Sequence, residues 1–422
     1  MDYIPRSAAP HWFAGISVSA TCRRIESAMI GIHGQGSGAP VEIRKTISFD
    51  IPREITEYFN ELQGILYDKG NHRPDRDHSD VVIPTGLYHH VLRELASIEE
   101  EAVNELIAES RLTANDILAV GINDSGIRSV TAGGLYYQSL CDAGYLAEQT
   151  GLNIVDAFPL QDIAAGGNGG PLFPLPCWIF LKSENRNRVL LDLGRTARIT
   201  FLPKSENAFS HQKIIHQDIV PCGNLLDTLI WQITGGKTAV DLGGRFAVQG
   251  QQIPELSAQF REALPSKSDW IPFGLMPDRY LQLAARAVQN GHPQQDVLCT
   301  AALFIAETVS SVLQNSEQEI LLTGTCRLHG LLMNSLSSQL EHRTLTPISQ
   351  IGIPMDTFEA LCTAMMTLMA VEHIPGNLPH LTGSEGAKTL GRTTPGSLTN
   401  WHRLLQIMAT TRPADRSLRN AG

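Results

Sequence analysis

The chain runs through one order of elements twice, and that repetition limits its fold more than any single motif does. Near the start, Phe13–Val18, Ala28–His33 and Val41–Phe49 read as three strands, and Arg53–Leu66 as a helix. A polar, loop-like stretch follows over Tyr67–Val81. Leu87–Ser110 carries apolar residues at helical spacing. Ile117–Ile122 then reads as a short buried strand, and Leu140–Thr150 as a helix stopped by Gly151. After Asn187 the plan recurs. Val189–Leu193, Ala197–Leu202 and Lys213–Val220 are strand-like, Asn224–Ile233 is helical, Ile320–Thr323 is a buried strand and Leu331–Leu340 a helix. Two such copies predict two related α/β halves facing a central cleft, where a ligand would sit. The expected division is a first domain over 11–185, a second over 186–400, and a C-terminal segment over 401–422 whose Thr411–Gly422 tail is mobile.

The 422 residues suit two domains, and at 42% apolar and 18% charged they can bury a large core. The formal net charge of −10 argues against nucleic-acid and anionic-membrane partners, which need concentrated basic surface. The N-terminal residues lack the pattern of a secretory signal, and no apolar run is expected to reach the roughly 20 residues that span a bilayer. The seven cysteines contain no CxxC pair and read as reduced thiols in a cytoplasmic protein.

The segment with most chemistry is DIAAGGNGGPLFP, Asp162 to Pro174. Glycines beside a carboxylate leave room for a ligand to approach it, so Asp162 is a candidate general base. It could equally cap a helix in a tight turn. The wider stretch QDIAAGGNGGPLFP resembles the anhydro-N-acetylmuramic acid kinases, whose pattern is roughly DVAAGGQGAPLVP. LAEQTGLNIVDAF, DVLCTAALFIA, EALCTAMMTLMA and IPGNLPHLTGSEGAKTLG agree in order and spacing, so the resemblance runs from about Gly15 to Gly396. It implies two ribonuclease-H-like domains, the fold of acetate and sugar kinases, the heat-shock-70 ATPase and actin. It also implies a reaction in which an aspartate activates water to open a 1,6-anhydro bridge while O6 takes the γ-phosphate of ATP. Asp162 falls on that aspartate. Gly166, Gly167 and Asn168 fall beside the sugar. Glu359, in the FEAL block, either faces the cleft or is a solvated helix residue.

The motifs expected to hold nucleotide depart from the family. A phosphate hairpin needs small residues that expose N–H groups, hydroxyls, and an acid for Mg²⁺. The family's GxMSGTSxDGxD is GISVSATCRRIE here: Ser19 and Ala20 replace Gly-Thr, Arg23 replaces the acid and Arg24 the next glycine. LNIGGIANIT is LDLGRTARIT, with Arg195 and Arg198 at glycine and asparagine positions after Gly194. DTGPGN is DIVPCG, beginning at Asp218, and GGGAxN is GTCRLH, beginning at Gly324. On the sugar side HGQT is NDSG (Asn123–Gly126), and Pro159 stands where FRxxD has arginine. Arg23, Arg24, Arg195 and Arg198 either point to solvent and pair with Asp192 and Asp218, or form a metal-free anion site. Cys22, Cys222 and Cys326 read as small apolar substitutes.

These readings predict a member of that family with lost or weakened ATP-dependent activity and a surviving site for a small-molecule sugar or anion. No metal or cofactor is expected, or MgATP if kinase activity survives. The alternatives are an active divergent kinase acting on a 1,6-anhydro amino sugar, and a structural or regulatory pseudoenzyme. The family implies a homodimer.

Overall fold

The computed structural model of the protein describes residues 10–19, 21–34, 39–66, 83–131, 134–207, 209–264, 277–314, 318–340 and 343–410. The loop expected over Tyr67–Val81 and the expected mobile tail lie outside them. The chain forms two compact units. One comprises Met1–Phe180 together with Asp356–Gly422, the other Leu181–Met355.

The first unit is built on strands β1 (His11–Val18), β2 (Arg24–Ile32), β3 (Val41–Asp50) and β4 (Ile117–Asn123), a hairpin of β5 (Ile127–Thr131) and β6 (Gly134–Gln138), and β7 (Ile154–Asp156). The second unit contributes β8 (Arg188–Leu193), β9 (Thr196–Leu202), β10 (Ile215–Pro221), β11 (Glu319–Thr323) and β12 (Leu345–Pro347). The chain then returns to the first unit and ends its sheet with β13 (Arg392–Thr394). The sheet orders are β3-β2-β1-β4-β7-β13 and β10-β9-β8-β11-β12. In each, three antiparallel strands are followed by two parallel ones, in the order third, second, first, fourth, fifth. The repeat read from the sequence is thus a repeat of topology, and both units are ribonuclease-H-like.

The first sheet is covered on both faces. Ala14, Ile16, Val18, Ile25 and Met29 join a core with Phe59, Leu62, Leu95, Val103 and Leu106, from the helices Arg53–Leu66 and Thr85–Ser110. The opposite face carries the helix Phe358–Val371, and two glycines let it in. A Cβ on Gly15 would overlap the Ala360 carbonyl and the Ala364 amide, and one on Gly121 would overlap Thr367 Oγ1. Gly15 and Gly121 are in register on neighbouring strands, so the sheet has a bare patch that fits the helix backbone. This packing explains why the chain divides where it does. The second domain, expected to run to 400, stops at Met355. Helical spacing in the EALCTAMMTLMA block shows that a buried helix forms, but not which sheet buries it. Residues 401–410, assigned to a separate end segment, belong with residues 398–400 to a further helix, Leu398–Thr410, of the first unit.

Other boundaries moved as well. β2 begins at Arg24, not Ala28, so the turn of the first hairpin is shorter than read. The helix expected from Leu140 begins at Ala143, where Asp142 accepts the Tyr145 N–H as its cap. One helix, Gln294–Leu313, is long and apolar enough to cross a membrane by length and composition, although no such run was expected. Its most apolar window has a mean hydropathy of 1.6 and is 67% buried. Phe304 on this helix meets Phe260 and Tyr280 at ring separations of 5.3 and 5.8 Å, so its apolar surface serves the core of the second unit.

Glu99 breaks the apolar pattern of the first core. It lies in the helix Thr85–Ser110 with no exposed surface, and neither carboxyl oxygen has a hydrogen-bond partner among the described residues. Burial first, then the charges of Asp124, Asp156 and Asp142, holds its carboxyl well above the usual carboxylate range. The folded protein therefore keeps a proton that the unfolded chain releases once the pH passes the ordinary glutamate value. Stability falls as pH rises above that value, by up to about 1.4 kcal/mol per pH unit, until the folded group ionises too. Thermal melts of Glu99→Gln should match the wild type near pH 4 and lie progressively higher towards pH 8 (roughly the window set by the ordinary glutamate value). A constant offset at all pH values would assign the effect to packing instead.

Candidate functional site

Asp162 sits in the short helix Pro159–Ala164 and is fully buried. Its Oδ1 accepts from Asn377 Nδ2 at 2.7 Å and Thr382 Oγ1 at 2.6 Å, and its Oδ2 from the Gly169 N–H at 2.8 Å. Its carbonyl accepts the Gly167 N–H at 2.9 Å, closing the glycine turn beneath the side chain. A Cβ on Gly167 would overlap Asp162 Oδ2, so only glycine fits there. Gly166 and Gly169 have φ of +80° and +67°. Among the described residues, these three donors engage both carboxyl oxygens.

Two sequence segments meet here that lie over 200 residues apart. Asn168 N–H donates to the Thr382 carbonyl at 2.9 Å, and Glu385 N–H to the Ala165 carbonyl at 2.8 Å. Asn377 also bonds Ser384 Oγ at 2.8 Å. Arg128, from β5, donates to the Gly169 carbonyl at 3.3 Å. None of Asn377, Thr382, Ser384 and Arg128 was singled out in the sequence. The first three belong to the block IPGNLPHLTGSEGAKTLG, where residue types alone do not reveal a distant partner.

Glu359 opens the helix Phe358–Val371 and is exposed, but its Oε2 accepts from Ser17 Oγ at 3.3 Å. Asn123 Nδ2 in turn donates to Ser17 Oγ at 3.1 Å. Ser17 is level with Glu26 on β2 and with Asn123 on β4. Neither Ser17 nor Glu26 was singled out, although both fall within the first hairpin motif.

That hairpin is closed on itself. The N–H groups of Arg23 and Arg24 both donate to Ser19 Oγ at 3.1 Å, and the Cys22 N–H donates to the Ser19 carbonyl at 2.7 Å. Cys22 turns into the core with φ of 52°. Arg23 is exposed, whereas Arg24 reaches across the sheet to Ser48 Oγ.

The second unit repeats this closure. N–H groups of Cys222 and Asn224 donate to the Arg195 carbonyl at 2.8 and 3.1 Å, and that of Gly223 to the Gly194 carbonyl at 3.0 Å. Arg195 is exposed at the turn. Arg198 Nε bonds Asp218 Oδ1 at 2.8 Å across the β9–β10 pair, and Asp192 is level with Arg198 on β8. Beside this ion pair His216 Nδ1 lies 2.9 Å from Thr200 Oγ1. Burial, then the Arg198 charge, lowers the His216 value to about 4. Gly324 has φ of +92°, and a Cβ there would overlap the Leu193 carbonyl group. Cys326 Sγ is 3.7 Å from the Gly194 carbonyl and packs close to Gly223. Each arginine named from the sequence thus belongs to one unit, two to each, and Arg24 and Arg198 bond partners within their own unit. Among the described residues no group of His, Cys, Asp and Glu is arranged to hold a metal ion.

The model of the anhydro-N-acetylmuramic acid kinase family matches residues 87–396. An anhydro-N-acetylmuramic acid kinase of Bordetella pertussis is 30% identical over 315 residues, covering 71% of this chain and 79% of that protein. One of Xylella fastidiosa is 30% identical over 306 residues, covering 70% of this chain and 76% of its own length. Among solved structures, an activator of 2-hydroxyisocaproyl-CoA dehydratase from Clostridium difficile with bound ADPNP covers 85% of this chain and 94% of its own, at 13% identity and a TM-score of 0.36, too low to bear on ligand or mechanism. By the extent of the family match and the identity to these kinases, the chain belongs to the anhydro-N-acetylmuramic acid kinase family.

Proposed function

We propose that this chain binds a small sugar through the segment around Asp162 and has lost, or nearly lost, MgATP-dependent phosphoryl transfer. The observation that carries this reading is the closure of the first hairpin. A phosphate loop works by presenting unsatisfied N–H groups to the ligand, and here those of Arg23 and Arg24 are taken by Ser19 Oγ. Phosphoryl transfer is catalysed almost entirely by positioning and charge stabilisation. An arginine at the position of the metal-holding acid repels Mg²⁺. In the second phosphate loop, the Arg198 guanidinium meets the Asp218 carboxylate where the family has a neutral residue. The residues present do not fit MgATP.

For the sugar, Asp162 is the proposed base, with Gly166, Gly167 and Asn168 forming the turn against which a ligand would lie, and Glu359 a second contact. Of the four arginines weighed for an anion site, Arg24 is engaged at Ser48 and Arg198 at Asp218, each within its own unit. A homodimer is proposed from the family resemblance, and a cytoplasmic location from the reduced-thiol reading of the cysteines. The second reading, an active kinase that hydrolyses and phosphorylates a 1,6-anhydro amino sugar, is favoured by Asp162 and its glycine turn, which lie within the family match.

Thermal shift and calorimetry separate the two. MgATP should leave the melting temperature unchanged, and 1,6-anhydro-N-acetylmuramic acid should raise it. A metal-dependent rise with ATP, with ADP release coupled to the sugar, would establish the second reading. Gly167→Ala tests the turn itself. Its Cβ would press on the Asp162 carboxylate, so stability should drop by roughly 1–3 kcal/mol and sugar binding should be lost. Gly86→Ala, a change in open helical surface, is the control and should be neutral or slightly stabilising. Equal melts for the two variants would show that the carboxylate is not fixed by the turn.

A further inference from the structure

A polar row crosses the first sheet. Ser48 on β3, Glu26 on β2, Ser17 on β1 and Asn123 on β4 are neighbours in register. Ser17 and Asn123 lie at the carboxyl ends of two parallel strands, the edge of an open α/β sheet where ligands collect. The row lies on the face covered by the helix Phe358–Val371, because Gly15 and Gly121, two residues earlier on the same strands, meet that helix directly. The first turn of the helix sets Glu359 over the row, bonded to Ser17 at 3.3 Å. Two carboxyl groups therefore share one patch of sheet, with a hydroxyl and an amide beside them.

We infer that Glu26 is a further residue of the site and that it holds a proton beside the Glu359 carboxylate, so that the row offers a hydroxyl-bearing ligand an acid and an acceptor together. Two like charges that both neighbour Ser17 disfavour double ionisation. Burial first, then the charges of Glu359 and Asp356, pushes the Glu26 carboxyl up to about 9, with Arg24 opposing them. The groups facing Glu26 are Ser17 from β1, Ser48 from β3, Arg24 from its own strand, and Glu359 and Asp356 from the start of the helix. Arg24 is turned to Ser48 and leaves the excess of negative charge in place. A row of carboxylic acid, carboxylate, hydroxyl and amide supplies both donors and acceptors, which suits a polyol. A divalent cation would first have to displace the proton. Glu26 is thus a positioning and specificity residue, placing the site on the side of a sugar hydroxyl rather than a metal-bound phosphate. For its ligand this inference rests on the sugar-binding reading above; for its proton it does not.

Infrared difference spectra of the full-length protein, taken between about pH 6 and 10, test the proton without any ligand. Wild type should show a protonated-carboxyl band that disappears as the pH passes about 9. The Glu26→Gln variant should lack that component, retaining only contributions from other buried acids such as Glu99. In Glu359→Gln the component should ionise at lower pH, because the neighbouring charge is gone. Identical spectra for wild type and Glu26→Gln, or a component unmoved by Glu359→Gln, would overturn the inference. In parallel, 1,6-anhydro-N-acetylmuramic acid should bind wild type more weakly once the pH passes about 9, and Glu26→Gln with no such change. Equal pH dependence in both proteins would remove Glu26 from the site. If the sugar binds neither protein at any pH, the functional reading fails, and the infrared result alone decides whether Glu26 holds the proton.

Discussion

The first unit depends on how closely the helix Phe358–Val371 lies against its sheet. Gly15 and Gly121 make that approach possible, since a methyl group at either would collide with the helix backbone or with Thr367. Close packing brings a segment from the far end of the chain under β1, β2 and β4 with almost no exposed apolar surface. Everything that follows the helix in sequence is carried with it. Glu359 arrives over Ser17, and six residues past the helix end Asn377 arrives at Asp162. The first glycine of the hairpin motif, which as sequence invites a phosphate-binding reading, thus has a packing role.

The departures in the nucleotide motifs follow a consistent chemical logic. A phosphate loop is costly in an unliganded protein because its N–H groups lack partners. Here those groups are satisfied from within: by the Ser19 hydroxyl in one unit, and by the Gly194 and Arg195 carbonyls in the other. The introduced charge is handled locally as well. Arg198 has Asp218 beside it on the next strand, at the spacing of a directly opposed cross-strand pair. His216, next in the same row of β10, stays neutral through burial and the Arg198 charge.

Much of this architecture was legible in the sequence, and what was not has a physical cause. The duplicated strand order could be read because strands announce themselves locally, by runs of apolar and β-branched residues between turn residues. The glycine turn after Asp162 was legible for the same reason. The division of the chain was not, because a helix pattern does not name the sheet it packs on. The partners of Asp162 were invisible because Asn377 and Thr382 are ordinary polar residues 215 and 220 positions away. The role of Glu26 was not legible because residue type alone does not show what a strand residue faces. Its environment comes from its two flanking strands and from the helix Phe358–Val371, which lies more than 300 residues away in sequence.

Asp162 shows why the turn could persist while the nucleotide motifs changed. In the proposed role it is a base, but its three hydrogen bonds also tie the Asn377–Ser384 segment to the glycine turn. Replacing it would leave the buried Gly169 N–H without its acceptor, at a cost on the order of 1–3 kcal/mol, and would remove one bond each from Asn377 and Thr382, which also bond Ser384 Oγ. The phosphate hairpins carry no comparable load. Their tips are exposed at Arg23 and Arg195, and their strands hold to the sheets through Ile25, Leu193 and Ala197, whatever occupies the turn. Substitution at the hairpin tips therefore costs a ligand and little stability, whereas substitution at Asp162 costs both. Preservation of the Asp162 turn is accordingly weaker testimony to catalysis than its resemblance to the family suggests.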